Sequence, residues 1–304
     1  MSRFAVFTLI LCALVGEAFA GGPRFVAGVT GFDEGLSGQP IVWRNGQISY
    51  YTDQGGLSPI LDHASADALV ADAFSHWTTV STAAVNANQG GTLDEDVSRV
   101  NVWQSSFGLF LPDDLQAYSP KSLAIVYDFD GSVIDALYGE GAGDESVCST
   151  NAVLENVDRF SSDGFIAHAL VFINGTCIKQ SADIAILKYK LVRALGRVLG
   201  LDWSQLNDNV VSGNPPPKAD DYAGYPLMHP MGALCGIGYG CMANADQLRP
   251  DDRAALSHLY PVVAENLGNF TGKTITASMT GRIHGSVRFP IYNGLSQGMQ
   301  GVTS

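Results

Sequence analysis

Apolar positions recur every three or four residues along one stretch of the chain, residues 184–204, IAILKYKLVRALGRVLGLDWS. Leu187, Leu191, Leu195 and Leu199 fall four apart, and Ile184 and Val198 widen the stripe to the breadth of a core-facing face. The spacing predicts a buried helix of about four to five turns. Gly200 stands where helices commonly end on a left-handed residue, so the chain is expected to reverse and set Leu201, Asp202 and Trp203 beside the last turn.

Other stretches have their own periods. Ala66, Leu69, Ala73, Trp77 and Val80 share one face of a helix over residues 65–80, with Asp62 or Ser65 as its N-cap. Residues 48–52 alternate as a short strand, while the apolar runs at 122–127 and 165–173 (FIAHALVFI) read as strands, the second stopped by Asn174-Gly175. Residues 21–47 are glycine-rich and read as an irregular lead-in ending in a turn at Asn45-Gly46; residues 86–98 are polar and read as a loop. Pro215-Pro216-Pro217 makes the 207–225 segment a stiff, extended loop. Beyond Pro261 the composition changes, giving a linker at 263–273 and a β segment at 274–304 that is too short for a sandwich of its own. Mixed helices and strands of these lengths make an α+β chain.

With 304 residues, 46% of them hydrophobic, the chain holds one core of about 200 residues and something smaller. Its formal charge of −13 argues against a nucleic-acid partner and against anionic membrane surfaces. Arg3, an apolar run over 4–15 and Ala18-Phe19-Ala20 give residues 1–20 the layout of a cleavable secretory signal, too short for a membrane anchor. The protein is then secreted or extracytoplasmic, with no membrane span once the signal is removed. Cys12 leaves with that segment, and the even number of remaining cysteines favours disulfides. Cys235 and Cys241 bracket a glycine-rich loop that closes readily, which leaves Cys148 with Cys177; two other connectivities stay open.

Candidate chemistry is sparse. Asp128, Asp130 and Asp135 offer carboxylates at a turn; a solvated Asp-Gly turn accounts for them better than a calcium loop, which would need further acids. His76 and His168 read as structural histidines. The G-x-S-x-G match at 294–298 lacks a following helix, and the glycines at 236–240 lack a ribose-binding acid, so neither marks a site.

Arg193-Ala194-Leu195-Gly196-Arg197-Val198-Leu199-Gly200-Leu201-Asp202-Trp203 resembles the metzincin zinc-protease motif H-E-x-x-H-x-x-G-x-x-H with its glycine kept. Pro226-Leu227-Met228-His229-Pro230 is similar to the Met-turn of that family. Leu248-Arg249-Pro250-Asp251-Asp252 and the following residues to Tyr260 resemble the closing helix of its matrixin branch, and residues 65–80 resemble its first helix. The resemblance implies a zincin-like domain over residues 48–262, with a twisted mixed sheet, a long first helix, a central former active-site helix and a C-terminal helix. Thr280-Gly281-Arg282-Ile283 and Gly298-Met299-Gln300-Gly301-Val302 resemble the opening strands of a carboxypeptidase-regulatory-like β-sandwich.

At the three ligand positions stand Arg193, Arg197 and Trp203, and at the general-base position stands Ala194. Guanidinium has no lone pair to give and indole nitrogen only donates, so these positions bind no zinc and no cofactor is implied. The expectation is a non-catalytic binding or scaffold module, with a peptide or protein ligand in the former active-site cleft contacted by Arg193, Arg197, Trp203 and His229. Two alternatives are an active zinc metalloendopeptidase with a rearranged site drawn from His229, Asp202 or His168, and a structural part of a longer cell-surface protein. Taken alone, the spacing of Lys190, Arg193 and Arg197 describes the wet face of an amphipathic helix. Taken with the resemblance, the two arginines replace the charge of the absent ion and need partners. Asp202, Asp208 and carbonyls near Met228 are the candidates, and Trp203 is placed to lie against a guanidinium.

Overall fold

Leu123–Asp128 and Phe165–Asn174, two largely apolar runs, lie side by side within a six-stranded sheet. The computed structural model describes residues 22–106, 108–204, 212–218, 221–222, 225–230, 234–236 and 240–281, with the backbone of 288–290 and 296–298. In chain order the strands are β1 (Val42–Trp43), β2 (Gln47–Thr52), β3 (Asn86–Thr92), a separate hairpin of β4 (Trp103–Ser105) and β5 (Gly108–Phe110), then β6 (Leu123–Asp128), β7 (Val153–Phe160) and β8 (Phe165–Asn174). The pairs β1–β8, β8–β6, β6–β2 and β2–β3 are parallel, and β7 lies at an edge, antiparallel to β8. Among the described residues there are five helices: α1 (His63–Thr78), α2 (Ser132–Tyr138), α3 (Cys148–Asn151), α4 (Ser181–Val198) and α5 (Pro250–Leu259). The fold is mixed α/β on a mostly parallel sheet.

The sheet is covered on both faces, which is why its central strands lack alternation. Leu123, Ile125 and Tyr127 of β6 join a core shared with α1 and α4, while Ala124 and Val126 join a second core with Val133 and Ile134 of α2, Leu93, Val102 and Leu115. On α1 the expected face is the buried one, and Asp62 is the cap, its side chain accepting from the Ser65 N–H at 2.9 Å. Pro250 sits in the first turn of α5, where its missing N–H is harmless. The last carbonyls of the α4 segment find donors in Trp43 Nε1, 2.9 Å from the Val198 oxygen, and the Tyr260 hydroxyl, 2.6 Å from that of Leu199.

Three expectations need correction. Residues 86–92 form an edge strand rather than a loop: β3 pairs in parallel with β2 from Gln47↔Asn86 to Thr52↔Thr92 through backbone bonds, with a one-residue register shift at Gly90. Its side chains are mostly exposed, so no apolar alternation marks it. Gly90 leaves room for the Tyr51 ring, which a Cβ there would approach to 2.6 Å, and Gln89 Nε2 donates to Thr52 Oγ1 and Asp67 at 2.8 Å each. The turn read as solvated is so only at its tip, where Phe129 and Asp130 are exposed; Asp128 itself is buried, because its carboxylate accepts from the Val133 and Ile134 N–H groups at 3.1 and 2.8 Å and anchors the start of α2. Asp135 likewise accepts from the Gly143 N–H at 2.7 Å.

Finally, the segment read as a linker is docked. Val262 and Phe270 bury against Ala84, Lys273 Nζ donates to the Val80 carbonyl at 2.7 Å, and the Thr276 hydroxyl donates to that of Thr82 at 2.6 Å. Residues 20–280 accordingly form one compact unit. Disulfides join Cys148 to Cys177 and Cys235 to Cys241, the latter across the short pair β9 (Cys235–Gly236) and β10 (Gly240–Cys241). The other unit comprises residues 1–19 and 281–304, and is described through the antiparallel pair β11 (Arg288–Pro290) and β12 (Ser296–Gly298). Among the described residues, no helix is long and apolar enough to cross a membrane. The expected signal at 1–20 with Cys12, Asp208, part of 207–225 and most of 281–304 lie outside the described residues.

Candidate functional site

Gly196 and Gly200 shape the neighbourhood of α4 in different ways. Gly200 adopts φ 92°, and the N–H groups of Gly200 and Leu201 close the helix end by donating to Arg197 and Gly196 carbonyls at 3.0 and 3.1 Å. The chain therefore turns back as the spacing predicts. Gly196 provides clearance: a Cβ there would stand 2.6 Å from both Met228 Sδ and Trp77 Cζ2. The absence of a side chain lets α1 and the 226–230 turn approach the same point of α4. Trp77 uses that approach to donate its indole N–H to the Val192 carbonyl at 2.8 Å.

The 226–230 turn is itself held from behind. The buried carboxylate of Asp252 in α5 accepts from the N–H groups of Leu227 and Met228 at 2.8 and 2.9 Å, and from that of Arg249 at 2.8 Å. The Ser204 N–H donates to the Met228 carbonyl, fastening the returning loop to the same turn. On its other side the loop meets the lead-in: Asp202 N–H donates to the Gly22 carbonyl at 2.8 Å and Arg24 N–H to that of Gly200 at 2.7 Å.

Between these elements lies a cleft of about 410 Å³. Lys190, Arg193, Ala194 and Arg197 of α4 line it, facing Val153, Leu154 and Glu155 of the edge strand β7, with Trp203 and Pro230 also on its wall. The three positions equated with metal ligands, Arg193, Arg197 and Trp203, therefore meet in one place, next to the turn bearing Met228. Arg193 is only 8% exposed, which rules out a plain solvent face for this part of α4. Its guanidinium carbon lies 5.0 Å from the Trp203 ring centroid and 5.2 Å from that of Tyr189, and Arg197 lies 4.5 Å from the Trp203 ring. Such contacts stabilise a desolvated cation by about 1–2 kcal/mol each.

In comparisons with known proteins, no family model matches the chain and no curated protein matches it significantly. The site is thus read from its own chemistry.

Charge compensation divides the arginines. Arg197 pairs with Asp202 through Nη1 and lies 3.5 Å from Glu155, which also pairs with Arg24 at 2.9 Å. Asp202 was foreseeable from its position after the helix; Glu155 and Arg24, on remote segments, were not. Arg193 donates to the His229 carbonyl, its Nε has no acceptor, and it has no ion pair among the described residues. Burial pulls its pKa below the ordinary arginine value, although guanidinium stays charged. Lys190 donates to the Ser149 carbonyl, and burial, then repulsion from Arg193, lowers its pKa as well.

His229, expected at the cleft, is fully buried and contributes its backbone carbonyl instead of its ring. The ring Nε2 is 2.9 Å from the Tyr189 hydroxyl, and burial followed by the nearness of Arg193 presses its pKa down to about 3. Pro230 takes the place on the cleft wall that the pattern assigned to the histidine. His168 is buried within 2.6 Å of Asp158, and His76 lies 3.7 Å from Asp246. Among the described residues, no group of three or more His, Cys, Asp or Glu is placed to hold a metal ion. Ala194, at the position the motif resemblance gives to a general base, adds only a methyl group to the cleft wall, beside the charges of Lys190, Arg193, Arg197 and Glu155.

Proposed function

We propose that this is a secreted protein with a metzincin-like, matrixin-related domain that has lost its zinc ligands and general base, and that it works as a non-catalytic binding module. One observation carries the reading: the cleft beside the methionine turn is lined at the motif positions by Arg193, Ala194, Arg197 and Trp203. Two guanidinium groups and an indole supply hydrogen-bond donors and an aromatic face but no electron pair for a cation. A peptide or protein segment is the ligand this shape suits best, because β7 is an edge strand with no partner on its outer side among the described residues, against which an extended chain can align. The two disulfides support an oxidising compartment, in keeping with residues 1–20 as a secretory signal.

For a rearranged metallopeptidase site the remaining candidates are already engaged: Asp202 by Arg197, His168 by Asp158 and His229 by Tyr189. The purified protein, incubated with zinc and then dialysed, is expected to retain no stoichiometric metal by atomic emission and to leave casein intact. One bound zinc per chain together with cleavage abolished by a chelator would reject the binding-module reading.

A further inference from the structure

The cleft has a surplus of cations in a chain whose formal net charge is −13. Glu155 and Asp202, the carboxylates beside it, are taken by Arg24 and Arg197. Lys190 and Arg193, one turn apart on α4, have neutral hydrogen-bond partners, the carbonyls of Ser149 and His229 and, for Arg193, the Tyr189 hydroxyl as well. Neither has an ion pair among the described residues, and Arg193 is more than nine-tenths buried with its Nε lacking any acceptor. A buried cation with no carboxylate in contact is unfavourable, and stacking on aromatic rings together with the Asp252 charge acting from beyond contact distance offsets only part of that. The same stacking against Tyr189 and Trp203 restrains the guanidinium plane, and a restrained, planar fork of N–H donors is suited to the two oxygens of a carboxylate. Val153, Leu154 and Glu155 line the same cleft, and β7 pairs with no strand on its outer side among the described residues. Its free backbone groups can take an added strand.

We propose that Lys190 and Arg193 form a carboxylate-binding site, and that its ligand is a carboxylate carried on an extended peptide laid along β7. The proposal rests on the reading of the cleft as a binding site and names the ligand class. Two sources share this chemistry, a chain's C-terminal carboxylate and an Asp or Glu side chain.

Fluorescence anisotropy on the purified full-length protein separates them with three dye-labelled hexapeptide pools of neutral residues: one ending in a free acid, one amidated, and one amidated with a central Glu. At least one carboxylate-bearing pool is expected to bind about tenfold more tightly than the neutral amide pool, the gain typical of a charge-assisted pair. The pool that gains identifies the source. Arg193→Met keeps a side chain of similar length between the two rings, and Lys190→Gln changes a half-buried position that the core does not need; each is expected to remove the tenfold preference for the carboxylate-bearing pool over the neutral one. Equal binding of all three pools, unaltered in both variants, overturns the carboxylate site while leaving the binding cleft standing. No binding of any pool overturns both. Displacement of the peptides by acetate at equal concentration would overturn the peptide half, since the carboxylate alone would then suffice.

Discussion

A buried histidine shows how far a single residue's surroundings override its ordinary chemistry. His229 is enclosed by Tyr189 and Tyr225, whose ring centroid lies 4.3 Å away, and the Arg193 charge lies close by, so its folded-state pKa falls to about 3 from 6.5. Below pH 6.5 the unfolded chain takes up a proton that the folded one refuses, so the contribution of this residue is complete above that pH and declines as pH falls towards 3. In His229→Gln no such proton exists. The difference in unfolding free energy between wild type and His229→Gln is therefore expected to shift against the wild type by about 1.4 kcal/mol per pH unit, or about 2 kcal/mol between pH 6.5 and 5. Denaturant unfolding at those two pH values measures it, and a difference that stays constant would mean that the ring is solvated. Sequence spacing located this residue in the turn but not inside the protein, because one histidine among prolines carries no burial signal.

At the level of elements, α4 and the 226–230 turn were both legible, but the clamp between the turn and α5 was not. Asp252 looks like an ordinary acidic residue in a first helical turn, yet its carboxylate serves two backbone N–H groups some two dozen positions earlier in the chain. Asp252→Ala strips three N–H groups of their acceptor and is expected to lower the unfolding free energy by about 3 kcal/mol or more, with Asp252→Asn recovering part through its remaining oxygen. Equilibrium unfolding in urea reads both variants; no loss in the alanine variant would show that water replaces the carboxylate. Strand β3 makes the complementary point. Its pairing consists of backbone bonds, which are blind to side-chain type, so a polar stretch with two glycines passes for a loop until β2 is beside it.

Across the whole molecule, two cores on opposite faces of one sheet position the cleft at the edge formed by β7, where α4 and the loops from 201–204 and 226–230 meet. The larger unit extends to Thr280, past the boundary that composition suggested near residue 262. Its last part is held by a few anchors, Val262 and Phe270 against Ala84 and the Lys273 and Thr276 bonds to the 80–82 segment, spread over polar sequence. A chain ending at Pro261 is thus expected to unfold at lower urea concentration than one ending at Thr280, by an amount equal to about 2–4 kcal/mol for the loss of Phe270 and its neighbours. Coincident transitions for the two truncations would return residues 263–273 to the status of a linker.

Local regularity is what the amino-acid order determined unaided: the leucine stripe of α4, the glycine that ends it, the apolar central strands, and the closable glycine-rich loop between Cys235 and Cys241. Each of these follows from burial or backbone freedom within a few neighbouring positions, and so leaves a periodic or compositional trace. That Arg193, Arg197 and Trp203 offer no lone pair to a cation was equally visible, since it needs only residue identity. Tertiary structure alone decided which cations are neutralised. Arg24 and Glu155 are 131 positions apart, and their meeting near Arg197, with Arg193 beside Trp203 left without an ion pair among the described residues, depends on the fold bringing distant segments together, because electrostatic interactions act through space and leave no period along the chain.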